Sequence, residues 1–315
     1  MKEPIPVDLR VWRQFLTLAE ELHFGRAAQR LHMTQPPLTQ AIAQLEATLG
    51  VVLFDRTRRR VALSPAGEAL LPDVRDLLAR AQALPARARA AAGGEVGRLR
   101  LGFVSTAGFE QLPAWVRAFR VLRPQVALEL VEATGDVQLL AFARGELDAG
   151  LMLHSPGFAP PALLHLRVST EPMVLALPAH HPLAAAPRLA WEAVLAEPLV
   201  VFPRRIVPSL HDALFALYHA ANRLPIVAQE AIQMQTIVNL VSAGIGLAWV
   251  PQSVTGFRRE GVVYRTPGPA GRPRRGDPAV PECETSLVWP AESRNPVLAG
   301  FIDFVREQGQ ETAEA

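Results

Sequence analysis

Apolar residues recur at helical spacing in two short segments near the start of the chain, and three residues separate the segments. Each segment, residues 24–31 and residues 35–49, places its apolar side chains on a single helical face. These side chains are Phe24, Ala27, Ala28 and Leu31 in the first segment, and Leu38, Ile42, Leu45 and Leu49 in the second. The pattern predicts two helices that meet at a tight turn, with Thr34 as the N-cap of the second helix.

The opposite face of the second helix is polar but almost uncharged. It carries Gln35, Pro37, Gln40, Gln44 and Ala47. Small and amide-bearing side chains suit the base edges of a DNA major groove, because amides both donate and accept hydrogen bonds. The two segments therefore predict a helix-turn-helix.

A hairpin with a basic tip is predicted after the two helices. Residues 51–54 and 61–63 are apolar and predict two short strands that form a wing. The connecting loop carries Arg56, Arg58, Arg59 and Arg60. A charge run is usually a solvated tip, but beside a helix-turn-helix we favour contact with phosphates or with a narrow minor groove.

Two further helices flank this segment. Asp8 is the predicted N-cap of the first, and Ser64 caps another that continues to about Ala92. Along the latter, apolar residues alternate at heptad spacing and form a narrow seam. The seam consists of Leu70, Val74, Leu77, Ala81, Leu84, Ala88 and Ala91. We expect it to pair two chains rather than to pack on its own domain, with bends at Pro72 and Pro85.

From residue 98 the pattern changes to strands that alternate with helices. The predicted strands cover residues 98–104, 126–132, 148–153, 163–168, 173–177, 199–202, 226–229, 246–250 and 285–289. The predicted helices cover residues 109–122, 137–144, 209–221, 234–243 and 297–308. This alternation indicates an α/β fold of two subdomains with a ligand-binding cleft between them. Residues 266–283 are rich in proline and glycine, which predicts an exposed loop.

Composition and charge narrow the range of functions. No apolar run reaches the roughly 18 residues of a membrane span, and no signal peptide is evident, so we expect a cytoplasmic protein with no membrane partner. Residues 1–92 hold 13 Lys and Arg against 9 Asp and Glu, whereas residues 93–315 hold 19 against 21. The basic excess therefore lies with the helix-turn-helix, as a phosphate-binding surface requires.

Candidate catalytic chemistry is sparse. Cys283 is the single cysteine, which excludes an intrachain disulfide and a multi-cysteine metal site. The sequence has no Gly-x-Ser-x-Gly elbow, phosphate loop or His-Glu-x-x-His motif. We therefore expect neither enzymatic activity nor a cofactor or metal ion.

Several stretches together resemble the LysR-type transcriptional regulators. The stretches are FLTLAEELHFGRAAQRLHMTQPPLTQAIAQLEATLGVVLFDRTRRRVALSPAGEALL, GELDAGLM, EPMVLALPAHHPLA, EPLVVFP and VNLVSAGIGLAWVP. The resemblance implies a winged helix-turn-helix domain (residues 1–63), a long linker and dimerisation helix (64–94), and an effector-binding domain like the periplasmic binding proteins (95–315). It places subdomain I of the latter at about 95–170 and 267–308, and subdomain II at about 171–266.

The resemblance also implies partners and sites. We expect a homotetramer, a dimer of dimers, that binds an interrupted palindromic operator in double-stranded DNA, contacts RNA polymerase and activates or represses transcription in response to a small-molecule inducer. By position, the DNA-binding residues are Thr34, Gln35, Pro36, Pro37, Thr39, Gln40, Arg56, Arg58 and Arg59. Many relatives carry arginine where this chain has Gln40. Because arginine favours guanine and glutamine favours adenine, the operator's inner bases are expected to differ.

For the inducer, the resemblance implies a cleft lined by Ser105, Thr106, Thr134, Phe202, Pro203, Arg204, Ile232 and Gln233. Hydroxyls and backbone N–H groups at helix starts bind carboxylates, and we expect Arg204 to supply the charge. Some relatives that respond to aromatic-ring cleavage products have arginine where this chain has Leu153, so a less charged organic or aromatic acid is expected. The alternative functions are a cytoplasmic solute-binding protein and a structural dimerisation protein, which the basic winged segment and the cleft, respectively, disfavour.

Overall fold

The computed structural model describes residues 7–57, 60–109, 111–266 and 279–314. The chain separates into two compact units, Met1–Arg89 and Ala90–Ala315, and each is described by itself. The predicted domain boundaries near residues 63 and 94 stay predictions. Among the described helices, none has both the length and the apolar character needed to cross a membrane.

The first unit is a winged helix-turn-helix. Its elements are α1 (Leu9–Glu21), α2 (Phe24–Arg30), α3 (Gln35–Leu49), β1 (Phe54–Arg56), β2 (Val61–Leu63) and α4 (Pro65–Ala92). The side chain of Asp8 accepts a hydrogen bond from the Arg10 N–H, as an N-cap does. Thr34 occupies the N-cap position of α3 but makes no side-chain capping bond. His32 has a φ of 54°, and this left-handed residue turns the chain between α2 and α3.

The wing begins later than predicted. Residues 51–54 were expected to form its first strand, but β1 covers Phe54–Arg56 and pairs antiparallel with β2. Val51 and Val52 are exposed, and the backbone N–H groups of Leu53 and Phe54 bond to the Glu46 side chain instead of to a strand.

Side chains from α1, α2, α3, the wing and α4 share one small core. Its fully or almost fully buried members include Phe15, Leu18, Ala27, Leu38, Ile42, Leu45, Leu53, Phe54 and Val74. Most of the predicted apolar positions of α2 and α3 therefore face this core, but Leu49 at the end of α3 is 38% exposed. The amide-bearing face of α3 points to solvent.

The long helix α4 begins as predicted, because Ser64 Oγ accepts a hydrogen bond from the Gly67 N–H. A Cβ on Gly67 would lie 2.3 Å from the Leu53 carbonyl, so a glycine is required where the helix meets the wing.

The predicted heptad seam of α4 is buried in one part and exposed in another. Val74 is buried in the core of the first unit, whereas Leu77 is 42% exposed and Leu84 is 61% exposed. The bends predicted at the two internal prolines stay predictions.

The second unit is α/β. Its strands are β3 (Val96–Phe103), β4 (Gln125–Glu132), β5 (Ala149–His154), β6 (Leu164–Pro178), β7 (Leu199–Val201), β8 (Val227–Glu230), β9 (Ala248–Pro251), β10 (Val262–Arg265) and β11 (Glu282–Trp289). Its helices are α5 (Gln111–Leu122), α6 (Gly135–Ala143), α7 (Pro182–Ala185), α8 (Trp191–Val194), α9 (Pro208–Ala220), α10 (Met234–Ser242) and α11 (Pro296–Glu314), with 3₁₀ turns at Ser105–Phe109 and Gln252–Gly256.

Strand β6 connects two groups of strands. Up to Pro172 it pairs with β11, which continues the sheet through β5 and β3 to β4 at the edge. From Met173 onward it pairs with β9 and β10. The sequence predicted two strands, residues 163–168 and 173–177, where the structure has one continuous strand.

Some elements of the second unit were not predicted. Strand β10 and the short helices α7 and α8 are additions. The predicted loop 266–283 ends within β11, which begins at Glu282, and its residues 267–278 lie outside the described residues. Strands β3, β4 and β5 run parallel, so their carboxyl ends meet at one edge of the sheet, close to Ser105, Thr134 and His154.

Candidate functional sites

The outer face of α3 is open to solvent. Thr34, Gln35, Pro36, Pro37 and Gln40 are exposed, and Thr39 is half-buried with its Oγ1 donating to the Gln35 carbonyl at 3.1 Å. The two prolines lie in the first turn of the helix, where their missing N–H groups would have no intrahelical partner. Five of the six residues predicted at the start of this helix are therefore accessible to solvent, and Thr39 is partly accessible.

Arg56 lies beside this surface and is held in place by two neighbours. Its Nη2 is 2.6 Å from Glu46 Oε2, and its guanidinium lies 5.1 Å from the centre of the Phe24 ring. The other oxygen of Glu46 accepts hydrogen bonds from the N–H groups of Leu53 and Phe54, at 2.9 and 3.1 Å. Glu46 thus connects the helix, the wing backbone and the wing arginine.

Sequence reasoning missed Glu46. A signal was present, because Glu46 is the sole charged residue in the segment 35–49 and adjoins the buried Leu45. Arg58 and Arg59, which were also predicted to contact DNA, lie outside the described residues.

The second unit contains a small cavity at the carboxyl edge of the parallel strands. Its lining is Val104, Ser105, Thr106, Ala133, Thr134, Leu153, Phe202, Ile206, Val207, Ile232, Gln233 and Met234. Its volume of about 30 Å³ leaves room for little more than a water molecule. Six predicted effector residues meet here: Ser105, Thr106, Thr134, Phe202, Ile232 and Gln233.

Hydroxyl groups supply the polar part of this lining. Ser105 Oγ accepts from the Met234 N–H at 3.5 Å, and Thr134 Oγ1 donates to the Asp136 carboxylate. Thr106 is 5% exposed, and its Oγ1 has no hydrogen-bond partner among the described residues. An unpaired buried hydroxyl is costly, so it marks a position where a ligand atom would be bound favourably.

A glutamine fixes the helix that carries Thr134. Gln138 on α6 donates from Nε2 to the carbonyls of Ala133 and Leu151, at 2.8 and 3.2 Å. A Cβ on Gly150 would lie 2.1 Å from Gln138 Oε1, so the glycine lets the amide reach the strand. The amide thereby ties the start of α6 to β5.

The structure does not bring Pro203 and Arg204 into this lining. Arg204 is 64% exposed at its side chain and makes a bidentate pair with Asp212 of α9, with Nε–Oδ1 and Nη2–Oδ2 both 2.7 Å. This pairing lowers the pKa of the Asp212 carboxyl. In this structure Arg204 therefore supplies no charge to the cavity lining, because the Asp212 carboxylate binds its guanidinium through two hydrogen bonds.

Ile206 and Val207 line the cavity in place of the predicted Pro203 and Arg204. Both are buried. The sequence contains a sign of this arrangement. Two arginines are followed by two apolar residues in the segment Arg204–Val207, and such a change indicates where a loop turns toward the core. Among the described residues, no charged side chain lines this cavity.

Comparison with known proteins matches both units. Residues 9–68 match the family "Bacterial regulatory helix-turn-helix protein, lysR family", and residues 92–310 match "LysR substrate binding domain". The chain is 44% identical over 305 residues to the HTH-type transcriptional regulator IlvR of Caulobacter vibrioides, covering 96% of this chain and 99% of that protein. It is 36% identical to AlsR of Bacillus subtilis, covering 98% and 99%.

The chain belongs to the LysR family of transcriptional regulators. Its fold agrees with that of full-length CbnR in complex with its target DNA, with a TM-score of 0.78, 28% identity, and coverage of 96% of this chain and 100% of CbnR. The helix-turn-helix unit and the regulator relatives favour a transcriptional regulator over the solute-binding alternative. The predicted family and fold class are confirmed.

Proposed function

We propose that this LysR-type regulator binds an interrupted palindromic operator as a homotetramer, and that a small organic or aromatic acid in the cavity of the second unit changes its activity at the promoter. RNA polymerase is the proposed partner at that promoter. The observation that carries the ligand part is the buried hydroxyl of Thr106, which lines this cavity and has no hydrogen-bond partner among the described residues.

The exposed face of α3 supports the DNA part of the proposal. Gln35 and Gln40 present amides to solvent, and glutamine pairs with adenine through two hydrogen bonds. Arg56 is positioned beside them by Glu46 and supplies a cation for the backbone or the minor groove. CbnR, which shares this fold, was crystallised with its target DNA.

The cavity lining supports a ligand with one acidic group and an apolar remainder. The hydroxyls of Ser105 and Thr106 can donate hydrogen bonds to a carboxylate, while Phe202 and Ile232 offer apolar contact. A second carboxylate would lack a cationic partner among the described lining residues. The proposed inducer is therefore a monocarboxylic acid. Because the cavity is almost filled by its own side chains, ligand binding requires the cleft to widen.

Exposed apolar side chains support the tetramer. Leu77 and Leu84 form the part of the α4 seam that its own unit leaves uncovered. On the second unit, Leu130 and Val131 on the edge strand β4 and Leu140 on α6 are also exposed. Apolar positions that recur on one helical face or strand edge are typical of surfaces covered by another chain.

The DNA part is tested by mapping the DNA that the full-length protein protects and then measuring operator affinity for Arg56→Ala. We expect about a tenfold loss of affinity and a salt dependence smaller by about one ion, because one cation contact is removed. Arg306→Ala is the matched control, since Arg306 pairs with Asp303 on an exposed face of the second unit. Equal affinities for Arg56→Ala and the control would refute the assignment of Arg56.

The ligand part is tested in a promoter–reporter strain with candidate monocarboxylic acids. Thr106→Ala should shift the inducer dose response to higher concentration, whereas Arg204→Ala should not, because Arg204 points to Asp212. Both variants should retain operator binding. A dose response that Arg204→Ala shifts and Thr106→Ala leaves unchanged would place the inducer elsewhere.

A further inference from the structure

A second cavity adjoins the first and has a different chemistry. Leu153, Ile206 and Val207 line both cavities and form the wall between them. The second cavity has a volume of about 150 Å³, five times that of the first. Its lining also includes charged side chains, Arg205 and Asp136, which the first cavity lacks among the described residues.

Arg205 and Ser209 bring hydrogen-bond donors to this cavity. Arg205 is exposed and makes no hydrogen bond or ion pair with any described residue, unlike its neighbour Arg204, which pairs with Asp212. Ser209 Oγ accepts from the Ser155 N–H at 3.0 Å, which leaves its own hydroxyl hydrogen available. A guanidinium beside a hydroxyl is a common arrangement for binding a carboxylate.

His154 brings a buried acceptor. The residue is 4% exposed, and its Nδ1 lies 2.8 Å from the Ser155 carbonyl, which can only accept, so Nδ1 carries the hydrogen. In the neutral ring Nε2 is then an acceptor, and it has no hydrogen-bond partner among the described residues. Glu284 Oε1 lies 3.8 Å from Nε2, beyond hydrogen-bond distance, and accepts from the Ser286 hydroxyl.

Asp136 adds a second acceptor. One of its oxygens receives the Thr134 hydroxyl, and it forms no ion pair with Arg205 or any other described cation. The cavity lining therefore includes a guanidinium, a carboxylate and an imidazole, and the guanidinium forms no ion pair with the carboxylate. Leu139, Phe158 and Pro160 add apolar surface around them.

We propose that this cavity binds an α-amino acid zwitterion. Its carboxylate is held by Arg205 and the Ser209 hydroxyl, its ammonium group donates to Asp136 and His154 Nε2, and its side chain lies against Leu139 and Phe158. The ammonium group supplies the donor that the buried Nε2 lacks. The site is separate from that of the proposed monocarboxylic inducer, and the shared wall of Leu153, Ile206 and Val207 gives each ligand a way to sense the other.

The test uses the full-length protein and isothermal titration calorimetry with three probes that share one carbon skeleton: L-leucine, 4-methyl-2-oxopentanoate and isopentylamine. L-Alanine and L-phenylalanine extend the side-chain range. We expect an amino acid to bind, and the two leucine analogues that lack one charged group to bind about tenfold more weakly. If none of the three amino acids binds, the proposal is overturned.

Two variants then assign the groups. Arg205→Gln should weaken L-leucine and the oxo acid about tenfold but leave the amine unchanged, and Asp136→Asn should weaken L-leucine and the amine but leave the oxo acid unchanged. Arg204→Gln is the matched control for a lost positive charge and should change none of them. An equal loss in Arg204→Gln would show a general charge effect and overturn the proposal.

A third variant distinguishes this site from the first cavity. Thr106→Val alters the first cavity only, so it should leave L-leucine affinity unchanged. If Thr106→Val abolishes L-leucine binding while Arg205→Gln does not, the amino acid binds in the first cavity and the second-site proposal fails. That calorimetric result would not contradict the proposed response to an inducer. Conversely, an unchanged reporter response in Thr106→Ala would contradict the proposed inducer site and would leave the amino-acid site untouched.

Discussion

Glu46 and Arg56 are joined by a 2.6 Å ion pair that links the last turn of α3 to the wing. Glu46 also accepts from two backbone N–H groups, so its removal has two separable effects. Glu46→Ala leaves those groups without a partner and should lower the free energy of unfolding by about 1–3 kcal/mol. Glu46→Gln keeps an acceptor oxygen and should cost less. Urea titrations measure both.

Glu46→Gln also tests whether the pair orients Arg56 for DNA. If it does, Glu46→Gln should weaken operator binding severalfold, and the double variant with Arg56→Ala should be no weaker than Arg56→Ala alone, as coupling through one arginine requires. Tighter operator binding by Glu46→Gln would instead mean that Glu46 competes with DNA for the arginine.

Gln40 is expected to select bases at the inner part of each half-site. It is exposed on α3, and its amide pairs best with adenine, whereas arginine pairs best with guanine. Gln40→Arg should therefore shift the preferred base from adenine to guanine at one position, by about 1–3 kcal/mol of discrimination. Selection of bound sequences from a randomised operator library measures the shift, and an unchanged base preference would contradict the assignment.

Thr106→Val should separate stability from response. Valine has nearly the shape of threonine and removes a buried hydroxyl that has no partner among the described residues, so the second unit should gain about 1 kcal/mol of stability. The inducer response should weaken at the same time. Thr17→Val is the control, because Thr17 Oγ1 donates to the Arg13 carbonyl at 2.9 Å and its loss should not stabilise the protein. Calorimetric unfolding measures the effect, and a destabilised Thr106→Val would show that this hydroxyl is already satisfied.

Leu84→Glu should disrupt the assembly. Leu84 is the most exposed leucine of the seam, and a carboxylate there would be buried or repelled if two α4 helices pair. Light scattering should then give a smaller molecular mass than for the unmodified protein. Ala86→Glu places the same charge on the opposite face of α4 and should leave the mass unchanged. An unchanged mass for Leu84→Glu would show that the seam does not pair chains.

The Arg100–Asp148 pair should make the second unit sensitive to acid. Burial acts to raise the pKa of Asp148, but hydrogen bonds from the Arg100 side chain and backbone outweigh it and lower that pKa below the ordinary 3.8. A carboxyl with a lowered folded-state pKa stabilises the fold above its unfolded pKa, and this stability is lost as the pH falls through the folded value.

Asp148→Asn should therefore cost about 1–3 kcal/mol at pH 7 and flatten the loss of stability below about pH 4, since the charge-assisted bonds to Arg100 are gone. Urea titrations across this pH range measure the difference. Asp303→Asn is the control, because that carboxylate is 69% exposed in its pair with Arg306. If the free energy of unfolding falls with pH in Asp148→Asn as it does in the unmodified protein, other carboxyl groups cause the loss of stability in acid.

Local sequence patterns determined most of the architecture. The helix-turn-helix was predictable because the apolar period of α2 and α3 and the caps of α1 and α4 depend on residues close together in the chain. The alternation of strands and helices likewise indicated an α/β unit. The predicted boundaries of the elements were less accurate where a side chain binds the backbone. Strand β1 begins at Phe54 rather than at Val51, and the Glu46 side chain accepts from the N–H groups of Leu53 and Phe54.

Only the tertiary structure decided which side chains meet. The sequence predicted that Arg204 lines the cavity, but Asp212, eight residues later on α9, pairs with it outside the cavity. Ile206 and Val207 line the cavity instead. Glu46 and Arg56 lie ten residues apart, and Arg100 and Asp148 lie 48 residues apart. Their pairing depends on how the helices and strands pack, because hydrophobic period specifies which face of an element is buried but not which partner that face meets.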